Sequence, residues 1–492
     1  MQKVGLWLGL SGLVILLNIP GLGSLSSEGQ SALAVAWLMI IWWITEPIPI
    51  YATAFVPVVL FPILGILPAS DLAASYGHSY VLMLLGGFML AKGIEKQHLH
   101  KRIAFRVLSW LGTDKRLILL GFMIPTAFLS MWITNMAVVL IILPVAMALI
   151  DQEKAQSQSE GQFGTALILA IAYAASVGGT GTLIGTPPNL VFTGLLDQLF
   201  PAAPEISFFD WLSIGIPLVM ICLPIIWVYL SMFFGISGEL VGGNQIIKEQ
   251  SNELKKMSTG EKRALWIFAL TAIGWIFRKD IVMGDLTLPG WSSILGIESY
   301  VHDSTVAIAG ALAFFLTKDG KGQSLLNWNA AASIPWGVAM FLGGGLALGA
   351  SFKHTGLANW LASNLSGFEG LPLILMISLL VFLMIFITEV NSNTATAIIF
   401  LPILASMAMA AKINPLLLMI PATIASSFAF MLPSGTGTNT VVFASERLTV
   451  RDMARTGFWL NIIFSLLLPL ILYLIVIPIL GIENEAPSWL PK

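Results

Sequence analysis

Apolar runs separated by short polar breaks recur along almost the whole chain. A helix crossing the hydrocarbon core of a bilayer needs about 20 mainly apolar residues. Runs of roughly that kind lie near 5–20, 31–48, 52–67, 77–95, 164–198, 207–235, 263–278, 302–317, 335–355, 414–446 and 457–481. Two other stretches, 117–150 and 371–411, are too long for one crossing, and each carries a polar cluster at its middle. Such a pattern predicts a re-entrant hairpin that enters and leaves on one side, with its irregular tip buried in protein. The expected fold is therefore an all-α polytopic membrane protein of about 11 spans plus two hairpins. The opening MQKVGLWLGLSGLVILLNIP pairs Lys3 with an apolar run but shows no small-x-small cleavage site, so it reads as a first, uncleaved span.

Composition agrees. Of 492 residues, 57% are hydrophobic and only 10% charged, against about 25% charged in soluble domains. The net charge of −2, with no basic arm or aromatic–basic patch, gives no footing for nucleic acid. Cys222 is the single cysteine, which excludes a disulfide framework. If the N-terminus is cytoplasmic and both long stretches are hairpins, all of the 24 Lys and Arg residues except Arg278, Lys279, Lys353, Lys412 and Lys492 fall inside. The positive-inside bias thus favours an inner (plasma) membrane protein with its N-terminus in the cytoplasm and its C-terminus outside. Segments 151–163 and 236–262 read as cytoplasmic connectors, and the basic segment 92–116 as lying along the inner interface.

The two halves echo each other. Thr134-Asn135-Met136 runs into AVVLIILP, and Ser392-Asn393-Thr394 runs into ATAIIFLP, with Pro144 and Pro402 equally far beyond the asparagines. Ser130 precedes Thr134 at the same interval as Thr388 precedes Ser392. Downstream, Gly185-Thr186-Pro187-Pro188-Asn189 answers Gly435-Thr436-Gly437-Thr438-Asn439. The assumed topology opens the first hairpin inward and the second outward, so the repeat is inverted. Paired Gly/Pro-interrupted segments of this kind point to a transporter's binding site.

The residue types suit ion chemistry. Proline and glycine break the helix and free carbonyl oxygens. With the hydroxyls of Ser130, Thr134, Thr388 and Ser392 and the amide oxygens of Asn135 and Asn393, they offer a shell for Na+ without a charged side chain. Helices restarting after each break aim N–H groups at the centre, where an anion can bind without arginine. Sodium would supply the remaining positive charge, which gives coupling a physical reason. Glu46 and Glu389 are further carboxylates at or near membrane depth, candidates by that position alone. His302 and Asp303 read as an outer helix end; His78, His98, His100 and His354 show no metal spacing and read as solvated or capping; the Trp42-Trp43 pair reads as packing. No serine–histidine dyad, HExxH or P-loop suggests an enzyme, and no cofactor is expected.

These motifs, with Glu46-Pro47, the LHKR run at 99–102 and GTPPN, closely resemble the divalent-anion:sodium symporter family over nearly the whole chain. That resemblance implies a homodimeric elevator transporter. It would have scaffold helices in 1–116 and 263–370, and a mobile transport domain in 117–235 and 371–481. A cytoplasmic linker, 236–262, would join the halves, and a tail, 482–492, would follow. It implies one sodium site at Ser130, Thr134, Asn135 and the Gly185 backbone, and another at Thr388, Ser392, Asn393 and the Gly435 backbone. Substrate would meet Asn135, Thr186, Pro187, Asn393, Thr394 and Thr436. The implied activity is sodium-coupled import of a small dianion, a C4-dicarboxylate such as succinate, malate or fumarate. Alternatives on the same fold are sulfate or tricarboxylate transport and sodium-independent dicarboxylate exchange. Two departures touch the substrate side: Met136 stands where the family has a hydroxyl, and Gly437-Thr438 where it has a proline pair.

Overall fold

The computed structural model describes residues 2–108, 113–156, 162–240, 256–283, 286–364 and 371–490. Much of the linker 236–262, parts of 92–116 and 151–163, and Lys248, Lys255 and Lys492 lie outside the described residues. The described chain is helical, apart from one short antiparallel pair, Ile281–Met283 with Leu286–Leu288.

Both long apolar stretches fold as helix–break–helix. The first comprises Lys115–Ser130 and Asn135–Gln156. Asp114 caps its start by accepting from the amides of Arg116 and Leu117 at 2.8 and 3.1 Å. The second comprises Leu373–Thr388 and Asn393–Ala410, where Ser392 accepts from the Ala395 amide at 3.1 Å. In each, the tip asparagine is the first residue of the returning helix.

Two further helices break at the Gly-Thr-x-x-Asn motifs. Gln162–Gly179 stops, and the chain restarts as Pro187–Leu199 with proline at the first helical position, where its missing N–H costs nothing. Leu416–Ala425 stops and restarts as Gly437–Phe443. Helix Gln162–Gly179 is buried along nearly its whole length and forms the centre of the molecule.

The halves are exchanged at this centre. Pro187–Leu199 packs on Trp336–His354 and on the second hairpin's Asn393–Ala410. Gly437–Phe443 packs on the first hairpin's Asn135–Gln156 and on Gln162–Gly179. Glycine permits the close approaches. A Cβ on Gly178 would lie 2.4 Å from the Ala127 carbonyl oxygen, and one on Gly215 equally near that of Gly181.

The expected span at 52–67 is not one helix. Ile50–Thr53 and Val56–Ile63 meet at a bend, and the second piece carries Pro57 and Pro62. Tyr76 Oη donates to the Ala54 carbonyl at 2.5 Å, satisfying a group the bend exposes. Among the described residues, four helices are long and apolar enough to cross a membrane: Gln162–Gly179, Phe208–Phe233, Asn393–Ala410 and Val450–Ile479. Other expected spans are shorter apolar helices, among them Gln2–Asn18 and Asp303–Leu316, as is Leu373–Thr388, the first arm of the expected second hairpin. Proline, glycine and polar breaks trim them, as the sequence pattern requires.

Charged groups sit at the ends of the helices. Fully buried Arg278 donates to Asp303 at 2.5 Å and to Glu205 at 2.5 Å, while Asp303 also accepts from the Phe208 amide at 2.8 Å. His302 caps the helix that Asp303 begins, and His78 caps Ser79–Lys96 and faces Asp197 at 3.2 Å. His100, expected to be solvated or capping, is instead buried in the first turn of helix Leu99–Leu108, and burial lowers its pKa to about 4. Trp43 is buried edge-on against Phe341, and Trp42 donates to the Leu6 carbonyl at 3.5 Å. Cys222 is buried.

Two outcomes follow. Gly178→Ala drives a methyl into the Ala127 backbone and should lower stability by about 1–3 kcal/mol, whereas Gly21→Ala, with nothing within 4 Å, should be near neutral; thermal unfolding in detergent compares them. Arg102 donates to both oxygens of Glu261 at 2.8 and 3.1 Å. Burial works to raise the Glu261 pKa, but Arg102 and the Ser258 amide outweigh it and hold it below the ordinary carboxylate value. Its stabilising contribution is therefore present at neutral pH and lost as pH falls through that lowered value. Glu261→Gln should lower the melting temperature at pH 7, and the gap to wild type should close below about pH 4.

Candidate functional site

The two hairpin tips and the two helix breaks converge on one cavity of about 360 Å³. From the first half Thr134, Asn135, Gly185, Thr186 and Pro187 line it; from the second, Ser392, Asn393, Thr394, Gly435 and Thr436. Ser130 and Thr388 stand one layer behind, fully buried. The structure thus brings together the residues that the two hairpin tips and the two Gly-Thr-x-x-Asn breaks were expected to contribute. Tyr51, Phe88, Val338 and Phe341 close the remaining side with largely apolar surface. No Lys, Arg, Asp or Glu is among the described residues of the lining.

Bonding behind the two tips matches position for position. Ser130 Oγ lies 2.6 Å from Asn135 Oδ1 and 2.7 Å from the Ala175 carbonyl oxygen. Thr388 Oγ1 lies 2.9 Å from Asn393 Oδ1 and 2.7 Å from the Ser426 carbonyl oxygen. A hydroxyl has one proton and cannot satisfy both acceptors. Each tip therefore gathers more oxygen lone pairs than donors, the imbalance that a hard cation corrects.

The breaks are held the same way. Asn189 Nδ2 donates to the Gly179 and Thr182 carbonyls at 3.4 and 2.7 Å, and Asn439 Nδ2 to those of Ala429 and Leu432 at 3.2 and 3.0 Å. Each carboxamide spans its own irregular segment and takes up carbonyls that no helix serves. There is no room for larger residues. A Cβ on Gly179 would meet Asn135 Oδ1 at 2.5 Å, and one on Gly185 the Gly179 carbonyl oxygen at 2.4 Å.

Glu389 breaks the symmetry. It is 2% exposed and is not among the cavity lining. Oε1 accepts from the amides of Phe430 and Met431 at 2.6 and 2.9 Å and from Asn461 Nδ2 at 2.8 Å; Oε2 accepts from the Leu432 amide at 2.9 Å. The carboxylate thus organises the second break, directly behind Gly435. The sequence placed Glu389 at the tip but did not reveal Asn461 as its partner. The signal was there: a single amide in the apolar run FWLNIIFSLLL. Ser176 and Thr438, whose hydroxyls lie 3.0 Å apart and join the halves, were also not foreseen. Glu46 takes no part in the cavity; it ends helix Ser27–Thr45 in a left-handed conformation, at φ 46°.

Glu389→Gln places an NH2 group against amides that need an acceptor. It should destabilise the protein by about 2–4 kcal/mol, whereas Asn461→Ala, which leaves three backbone donors in place, should cost about half of that. Thermal unfolding in detergent, together with hydrogen exchange at the 430–432 amides, measures both.

Comparison with known proteins agrees in family and fold. The chain is 39% identical to the sodium-dependent dicarboxylate transporter SdcS of Staphylococcus saprophyticus, an alignment covering 99% of this chain and 93% of that one. It is likewise 39% identical to SdcS of Staphylococcus aureus, over 94% of this chain and 88% of the relative. In fold it is similar to the Alcanivorax borkumensis YdaH transporter, with TM-score 0.57 and 16% identity over 85% of this chain and 89% of that one. It is similar also to Neisseria gonorrhoeae MtrF, with TM-score 0.57 and 14% identity over 99% of both. The family model for the sodium:sulfate symporter transmembrane region matches residues 2–481, and the chain, a multi-pass membrane transporter, belongs to that family.

Proposed function

We propose that this chain is a sodium-coupled symporter that imports a small dianion, a C4-dicarboxylate such as succinate, malate or fumarate. The observation that carries the reading is a cavity free of formal charge, walled by two matched clusters of acceptor oxygens. An anion alone would be poorly compensated there. With a cation behind each tip, two carboxylates meet positive charge from both halves. The names of the SdcS relatives support sodium and dicarboxylate as the pair.

In this reading one Na+ is held by Ser130, Thr134, Asn135 and the Gly185 carbonyl, the other by Thr388, Ser392, Asn393 and the Gly435 carbonyl. Proton sharing at Ser130 and Thr388 then resolves, because each hydroxyl donates to its carbonyl and turns a lone pair to the ion. Substrate carboxylates meet Asn135, Thr186 and Pro187 on one side and Asn393, Thr394 and Thr436 on the other. Segments 117–235 and 371–481 form the moving body, and 1–116 and 263–370 the scaffold of a homodimer in the plasma membrane. The N-terminus is cytoplasmic and the C-terminus outside. The two inverted halves alternate access by an elevator displacement. The apolar wall of Tyr51, Phe88 and Phe341 supports this division, since a sliding surface needs few polar bonds to break.

Radiolabelled succinate uptake into proteoliposomes tests the proposal. An inward sodium gradient should drive accumulation, and equal uptake in potassium would instead establish a sodium-independent exchanger. Asn135→Ala and Asn393→Ala should each reduce uptake more than about tenfold, since truncation removes an ion ligand while Ser130 and Thr388 keep the Ala175 and Ser426 carbonyls as acceptors, and the proteins should still elute as folded dimers. Near-normal uptake by both variants would remove the site from this cavity. Competition by excess sulfate that exceeds competition by malate and fumarate would favour the family's other anion.

A further inference from the structure

The two substrate-side departures from the repeat are one feature. Met136 follows the first tip asparagine, where the second half has Thr394. Its side chain reaches across the cavity into the other half. The Met136 Cε stands 2.4 Å from where a Cβ on Gly437 would lie, so the thioether methyl rests on the glycine backbone. A side chain at 437 would have to displace the thioether methyl from this seat. Met136 is nonetheless 47% exposed, and both residues line the cavity. The methyl therefore covers part of the wall that joins the two halves, beside the gap between the two tips.

The Thr438 and Thr440 hydroxyls nearest this wall already have partners within the protein. Thr438 Oγ1 lies 2.6 Å from Thr436 Oγ1 and 3.0 Å from Ser176 Oγ, and Thr440 Oγ1 donates to the Pro433 carbonyl at 2.7 Å. A polar substituent on the substrate's middle carbons would be taken from water and set against a thioether that offers no donor. Methylene or vinylene carbons lose nothing there and gain contact with a polarisable sulfur side chain.

We propose that Met136, seated on Gly437, selects dianions whose carboxylates are joined by an unsubstituted two-carbon span, over hydroxylated and tricarboxylic anions. This rests on the dicarboxylate reading and narrows it: succinate and fumarate are the preferred cargo, malate and citrate are not. An apolar wall rejects an added hydroxyl by no more than about 100-fold, so the expected preference is about tenfold.

The test is competition against labelled succinate uptake into proteoliposomes under an inward sodium gradient, using unlabelled succinate, fumarate, malate and citrate. Wild type should be inhibited by malate about tenfold less strongly than by succinate. M136T, which restores a hydroxyl, should bring the two within about twofold, and M136L, which keeps an apolar wall, should retain the preference. G437A places a methyl where the thioether lies and should raise the KM for succinate; in an M136A background the same change should have little effect, because nothing remains to displace. Equal inhibition by malate and succinate in wild type would overturn the inference. So would an unchanged preference in M136T or, should M136T carry no substrate, effects of G437A and M136A that simply add. Absence of succinate uptake by the wild type would refute the dicarboxylate reading itself rather than the role of Met136.

Discussion

Backbone polar groups inside a membrane protein must find partners, and that requirement shapes this molecule from its centre outward. Four interruptions, two hairpin tips and two broken helices, expose carbonyls and amides that no helix serves. They persist because buried side chains take up the loose ends. Asn189 and Asn439 bind carbonyls at the start of or within each break, and Glu389 gathers three amides of the second. At the tips the hydroxyls of Ser130 and Thr388 each face two acceptor oxygens, so acceptors crowd the cavity end of both hairpins.

The two halves solve the same problem with different residues. In the first, Thr182 Oγ1 donates to the Met131 carbonyl at 2.5 Å and Trp211 Nε1 to that of Thr180 at 2.9 Å, so the break is fixed by neutral groups. In the second, a carboxylate performs that task with Asn461. A sequence repeat therefore does not imply two equivalent sites. The second places the Glu389 carboxyl group one layer behind its cavity wall, where the first has neutral partners.

Much of this was legible in the sequence, and the reasons are physical. Apolar run length gave the helices, and a polar cluster inside a run too long for one span gave the hairpins. Proline and glycine at matched positions gave the breaks, because few other residues interrupt a buried helix. Paired motifs gave most of the polar part of the cavity wall but not its apolar side at Tyr51, Phe88, Val338 and Phe341. Less legible was anything set by approach between distant segments. The bend at Ala54 depends on Tyr76, the burial of His100 on the helices above it, and the pairing of Glu389 with Asn461 on a contact between segments far apart in the chain. Met136 and Gly437 looked like two unrelated departures until their contact made them one. Periodicity reports which face of an element is apolar but not which partner that face meets.

The exchange of segments at the centre has a consequence for biosynthesis. Pro187–Leu199 leaves the ribosome long before the helix it packs on, Asn393–Ala410, has been made. Half of the polypeptide must therefore wait in the bilayer with a finished hairpin and an unclosed broken helix. Its break can be held meanwhile by Asn189 and Trp211, which lie in the same half. Final closure is a late, long-range event, and the two hairpin tips come to face one cavity only after the last quarter of the chain has been made.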